Sequence, residues 1–121
     1  MNKLFLSGIF TLILAVNLFA QQPGRKPMPS ADRAKNTVER ISKTVAFTNQ
    51  QKTDVIAIFT KFYDDVRAQQ AFRDPAKLDP LEKARDVKVQ KLLNNPKLYK
   101  QYQDAVKEIK AQFQERQRQQ R

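Results

Sequence analysis

The stretch Phe47-Thr48-Asn49-Gln50-Gln51, FTNQQ, separates two runs of helical periodicity. Thr48 and Gln51 stand at the spacing of a capping box, in which the Thr48 hydroxyl accepts from the Gln51 amide and the Gln51 side chain reaches back to the Thr48 amide. One helix therefore ends before Thr48 and another begins after it. Phe47 precedes the cap, where its ring can be buried and fix the angle between the two helices. The usual staple partner four places into the helix is Lys52, so the ring is expected to meet Val55 or Phe59 instead.

Upstream, Ala34, Val38, Ile41 and Val45 recur at spacings of four, three and four, one narrow stripe of a first helix, with Ser30 as its expected N-cap. Downstream, the second helix is expected from Asn49 to about Phe72, with a length of about 36 Å. Val55, Ile58, Phe59, Phe62 and Val66 share one arc, and Thr53, Lys61, Asp64 and Ala68 lie opposite. Ile56 and Tyr63 fall at the margin of that arc, flanked by Lys52 and Arg67. Two readings are open for this edge. It completes the core or a subunit contact, or it is a mixed apolar and basic binding surface.

The next break is Arg73-Asp74-Pro75-Ala76-Lys77, and Asp79-Pro80-Leu81-Glu82 has the form of a helix start, with Asp79 as cap and Pro80 at the first position. A third helix follows to about Leu93, carrying Leu81, Ala84, Val89, Leu92 and Leu93. Arg85 and Lys88 fall on the same arc as Leu81 and Leu92. Either these cations snorkel past the core edge or pair with acids such as Asp65 or Asp74, or they present charge to a partner. Asn94-Asn95-Pro96 then closes this helix and opens a fourth, with Asn95 as cap and Pro96 first. Tyr99, Tyr102, Val106, Ile109 and Phe113 form its apolar seam to about Glu115. Residues 116–121, rich in Arg and Gln, have nothing to bury and are expected to fray.

Composition narrows the function. The chain of 121 residues contains no Cys and no His. Disulfides, thiol catalysis and an N-terminal lipidated Cys are thereby removed, and neutral-pH acid–base chemistry loses its usual agent. Asp64-Asp65 is the only adjacent acidic pair, and helical neighbours diverge by about 100°, so the pair reads as solvated charge rather than a catalytic dyad. No enzyme activity and no cofactor or metal is expected.

Residues 1–20 read as an export signal: Lys3 begins it, Leu4 to Val16 is almost wholly apolar, and Leu18-Phe19-Ala20 offers a cleavage site. The apolar run is shorter than the roughly 20 residues of a bilayer span, so the processed chain is expected to be soluble, with no transmembrane segment. Residues 21–29, QQPGRKPMP, read as a flexible leader, leaving residues 30–115 as one helical domain. The formal charge is +11 from 23 basic and 12 acidic residues, and loss of Lys3 with the signal would leave +10. Acidic surfaces or polyanions are favoured partners, although export makes genomic nucleic acid an unsuitable one. The charge, spread along every segment, also serves solubility.

An export signal, a basic first helix, an apolar-Thr-x-x-Gln motif opening a long helix, a basic third helix and a second start motif before a Tyr-containing last helix together resemble the Spy/CpxP-like, LTxxQ-motif periplasmic family. The resemblance covers about residues 31–113. Phe47 replaces Leu in the first motif; in the second, Asn95-Pro96-Lys97-Leu98-Tyr99, Asn95 replaces Thr and Leu98 stands where Gln would close the box. The resemblance implies an all-α, four-helix curved hairpin shaped like a cradle, acting in the periplasm without ATP and usually as an antiparallel homodimer. Family members either chaperone unfolded envelope proteins or restrain a stress-sensor kinase. Some relatives are tied to metal resistance, but that branch wants His, Cys or Met clusters, and Met28 is the only Met beyond the signal.

The leading expectation is a chaperone-like binder of unfolded or partly folded proteins, with Lys52, Ile56, Tyr63, Arg67, Arg85 and Lys88 as the binding surface. A regulator docking on a sensor kinase's periplasmic domain, and a binder of anionic polymers, are the alternatives. The first would show selective, salt-sensitive capture of one partner, the second a steep loss of affinity with salt.

Overall fold

The computed structural model describes residues 28–120, and the expected signal segment and most of the leader lie outside them. The protein is all-α. Among the described residues, four helices, α1 (Ser30–Ser42), α2 (Asn49–Ala68), α3 (Pro75–Leu93) and α4 (Pro96–Gln119), follow one another with a single 3-10 turn at Ala71–Arg73 and no strand.

Local chemistry sets most of the boundaries. The Thr48 capping box forms in full: Thr48 Oγ1 accepts from the Gln51 amide at 3.1 Å, and the Thr48 amide donates to Gln51 Oε1 at 2.9 Å. Asn95 Oδ1 accepts from the amides of Lys97 and Leu98, both at 3.1 Å, with Pro96 at the first helical position of α4. Asn94 closes α3 in the left-handed region at φ 45°, a conformation that Asn tolerates well.

Four boundaries differ from expectation. The cap position of α1 is Pro29, whereas Ser30 is already helical and buried, its hydroxyl without a hydrogen-bond partner. Asp32 in the first turn offers the helix dipole the negative charge that the missing side-chain cap does not. α2 ends at Ala68 rather than near Phe72, because Gln70 turns left-handed at φ 51° and sends Ala71 into the core. α3 starts at Pro75, not Pro80: Asp74 Oδ1 accepts from the Ala76 amide at 3.1 Å, and the helix runs on through Pro80. Pro80 has no N–H for the Ala76 carbonyl, but both residues are exposed, so water can satisfy that carbonyl. At the other end, α4 continues four residues past Glu115 to Gln119.

Successive helices run antiparallel, as their cross-contacts demand. Along α2, Lys52, Tyr63 and Arg67 meet Glu39, Thr37 and Met28 in that order. Between α3 and α4, Tyr102 meets Asp86 and Lys110 meets Glu82. α4 also returns to α1, where Arg40 Nη2 donates to Gln112 Oε1 at 2.6 Å.

All four helices supply the main core: Ala34, Val38, Ile41 and Val45 from α1 and its exit, Val55 and Phe59 from α2, Val89 and Leu93 from α3, and Tyr102 and Ala105 from α4. Phe47 packs on this cluster as the sequence suggested, and Ile56, Ile58, Tyr63, Leu92 and Ile109 border it. Burying a side chain the size of Phe59 contributes about 1.5–3 kcal/mol. A satellite cluster of Phe62, Val66 and Ala71 lies beneath the α2–α3 turn, covered by Leu78 and Leu81. Starting α3 at Pro75 is what brings Leu78 onto this cluster as part of a helix.

Candidate functional site

The six residues expected to form one binding surface lie on two sides of α2. Lys52, Tyr63 and Arg67 all face α1 and the segment before it. Lys52 Nζ is 2.8 Å from Glu39 Oε1, and this hydrogen bond and charge hold the Glu39 carboxyl below its ordinary pKa. Tyr63 OH lies 2.9 Å from Thr37 Oγ1, and Arg67 Nη2 donates to the Met28 carbonyl at 2.7 Å. Ile56 is half-buried against the main core. The edge thus serves chiefly as the α1–α2 interface, the packing alternative of the two that its sequence left open.

Arg33 strengthens this interface. Its guanidinium lies 4.1 Å from the Phe72 ring centroid and 5.2 Å from that of Tyr63, within cation–π range. Burial lowers its pKa, opposed by Tyr63 and assisted by the neighbouring Arg67 cation.

Arg85 departs furthest from the expected surface. It is 6 % exposed, in the same helical register as Leu78, Leu81 and Val89. A buried cation must be paired and hydrogen-bonded to be tolerated. Its Nε donates to Asp86 Oδ1 at 3.0 Å, Glu82 Oε2 lies 4.0 Å from Nη2, and the guanidinium sits over the rings of Phe62 (4.5 Å) and Phe59 (5.0 Å). The expected partners Asp65 and Asp74 are engaged elsewhere: Asp65 pairs with Lys61 at 3.2 Å, and Asp74 caps α3. Burial works against the Arg85 charge, but Tyr102, Asp86 and Glu82 together outweigh it, and its pKa is raised.

The same network ties α3 to α4. Tyr102 OH donates to Asp86 Oδ1 at 2.7 Å, and Lys110 Nζ lies 3.0 Å from Glu82 Oε1. Burial pushes the Tyr102 hydroxyl pKa well above its ordinary value, with Asp86 adding to the rise and Arg85 opposing it. Tyr99, stacked on Tyr102 at 5.7 Å between centroids, is shifted the same way by burial and then by Asp86. The sequence held a signal for this arrangement: Glu82 and Asp86 are one turn apart on the flank of α3 that faces α4.

Lys88 alone of the six is exposed beside a cleft, lined by Ile58, Phe62, Leu81 and Arg85, of about 30 Å³. That is room for about one water, not an organic ligand. A larger open groove of about 290 Å³ lies between α1 and α4, with Arg40, Lys43, Glu108 and Ile109 in its walls. Among the described residues there is no group of three or more acidic, His or Cys side chains placed to hold a metal, and no helix long and apolar enough to cross a membrane.

Apolar side chains nevertheless reach the surface. Phe72 is 42 % exposed, Val87 49 % and Phe113 45 %. Each stands among cations: Arg33 and Arg73 beside Phe72, Lys83 and Lys91 one turn either side of Val87, and Lys110 and Arg116 about one turn either side of Phe113. Phe113 ends the α4 seam, in which Tyr102 is fully buried and Tyr99, Val106 and Ile109 are half-buried.

Compared with known proteins, the chain matches no protein-family model, no curated protein and no solved structure.

Proposed function

We propose that this protein is an ATP-independent, chaperone-like binder of unfolded or partly folded envelope proteins, a divergent relative of the Spy/CpxP-like periplasmic proteins. The observation that carries the reading is the placement of isolated exposed aromatics, Phe72 and Phe113, among cations on a chain of formal charge +11. Long-range attraction would concentrate acidic or unfolded clients at such a surface. Separated apolar contacts would then hold them weakly without requiring one sequence. Of the binding residues expected from the sequence, Lys88 is exposed beside a cleft too small for an organic ligand. Ile56, Tyr63 and Arg85 serve instead to hold the helices together.

The test is suppression of aggregation of an unrelated unfolded protein at equimolar ratio, without nucleotide. The native chain should protect it, and the double substitution Phe72→Ser/Phe113→Ser should reduce protection while helicity is retained. No protection by the native chain, together with salt-sensitive capture of a single envelope partner, would favour a sensor-restraining regulator instead.

A further inference from the structure

The charges of α3 are sorted by face. Its carboxylates Glu82 and Asp86 are committed to Lys110, Arg85 and Tyr102 on the flank toward α4. Its outer face carries Lys83, Lys88 and Lys91, all exposed, and among the described residues none of the three has an ion-pair partner. At 100° per residue Lys83, Val87 and Lys91 fall within about 80°, and Ala84 and Lys88 continue the same arc. Val87, 49 % exposed, stands at the centre of this ridge, and Asp79 only borders it.

The shape of this face selects its partner. It is the convex side of a helix, about 12 Å from Lys83 to Lys91; the one-water cleft lies at its edge, beside Ala84 and Lys88, and the larger groove lies between α1 and α4. It has no aromatic ring on which a nucleic-acid base would stack, and no track to hold a single strand. Lys83 and Lys91 in line with one valine, and Lys88 on the flank of that line, all with long apolar stems, match instead a plane of negative charge with a shallow apolar layer beneath it.

We propose that the outer face of α3 docks on an anionic phospholipid surface, with Lys83, Lys88 and Lys91 at the phosphates and Val87 at headgroup depth. The contact is peripheral and electrostatic, and is distinct from client binding through Phe72 and Phe113.

Partition of the full chain onto phosphatidylcholine vesicles, with and without phosphatidylglycerol, tests this. The phosphatidylglycerol-dependent part should fall by about 100-fold in Lys83→Gln/Lys88→Gln/Lys91→Gln. An equal charge change at exposed Lys35, Lys43 and Lys107 should cost only about threefold, because these charges lie away from the docked face and are screened. The sequence contains no Trp, so Val87→Trp gives a single local reporter whose emission should move to the blue on phosphatidylglycerol vesicles. Ala111→Trp on α4 should stay unshifted.

This local readout also separates α3 docking from any binding by the apolar residues 4–16. Equal losses in the two triple variants would overturn the proposal, as would an unshifted Trp at position 87. Displacement from the vesicles by equimolar polyglutamate would reassign the face to acidic polypeptides and likewise overturn it.

Discussion

The Tyr102 hydroxyl donates to Asp86 Oδ1 at 2.7 Å, joining α4 to α3 beside the main core. A hydrogen bond to a charged acceptor contributes about 1.5–3 kcal/mol, so Tyr102→Phe should lower stability by roughly that amount in urea unfolding at neutral pH. Burial of the same hydroxyl makes stability depend on pH in the alkaline range. Burial holds the folded-state pKa of Tyr102 above its unfolded value of about 10, so its stabilisation is complete below that pH and is lost as pH rises beyond it. Tyr99 shifts in the same direction. Unfolding curves taken at rising pH should show stability falling above about pH 10, and Tyr102→Phe should flatten that fall. An equally steep fall in the variant would contradict this reading.

Arg85 is expected to be the least replaceable charge. Arg85→Ala would leave Asp86 and Glu82 without their shared cation and open a void beside Phe59 and Phe62, costing about 3–5 kcal/mol. Arg85→Lys keeps the charge but loses the planar stacking and the fork, and should recover only part of the loss. Thermal unfolding of the two variants side by side gives the order.

Two of the three side-chain caps should each be worth about 1 kcal/mol: Thr48→Ala removes the capping box of α2, and Asn95→Ala removes both amide contacts at the start of α4. Because the sites are on different helices with no shared partner, their effects should add in the double variant. Denaturant midpoints at constant slope measure this directly.

Gln70 is the opposite case. A non-glycine at φ 51° carries a left-handed penalty of about 1–2 kcal/mol, so Gln70→Gly should stabilise the protein by about 0.5–1 kcal/mol after its own chain entropy is counted. Destabilisation on this substitution would mean that the Gln70 side chain contributes more than its contacts indicate.

These residues also mark what the sequence could and could not convey. Thr48 was legible because its box partner Gln51 stands three residues on, and Asn95 because Pro96 follows it at the first helical position. The turn at Gln70 was not, since glutamine carries no left-handed signal and the apolar pattern continues through Ala71 and Phe72. The start of α3 was misplaced because two Asp-Pro pairs stand five residues apart, at Asp74-Pro75 and Asp79-Pro80. The choice between them is made by Leu78, which reaches the satellite cluster only from a helix already under way. Arg85 was visible as a cation in an apolar register. Its partners were not, because Tyr102 and Lys110 are brought to α3 by the return of a different helix. The proposed edge of Lys52, Ile56, Tyr63 and Arg67 was an amphipathic margin whose neighbour, α1, periodicity alone does not reveal.

Amide hydrogen exchange with and without an unfolded acidic client distinguishes client binding through exposed aromatics from binding through the α1–α2 edge. Added protection is expected around Phe72 and Phe113, with exchange across residues 52–67 unchanged. Protection confined to 52–67, with α1 exchanging faster as it lifts away from Tyr63, would contradict binding through the aromatics.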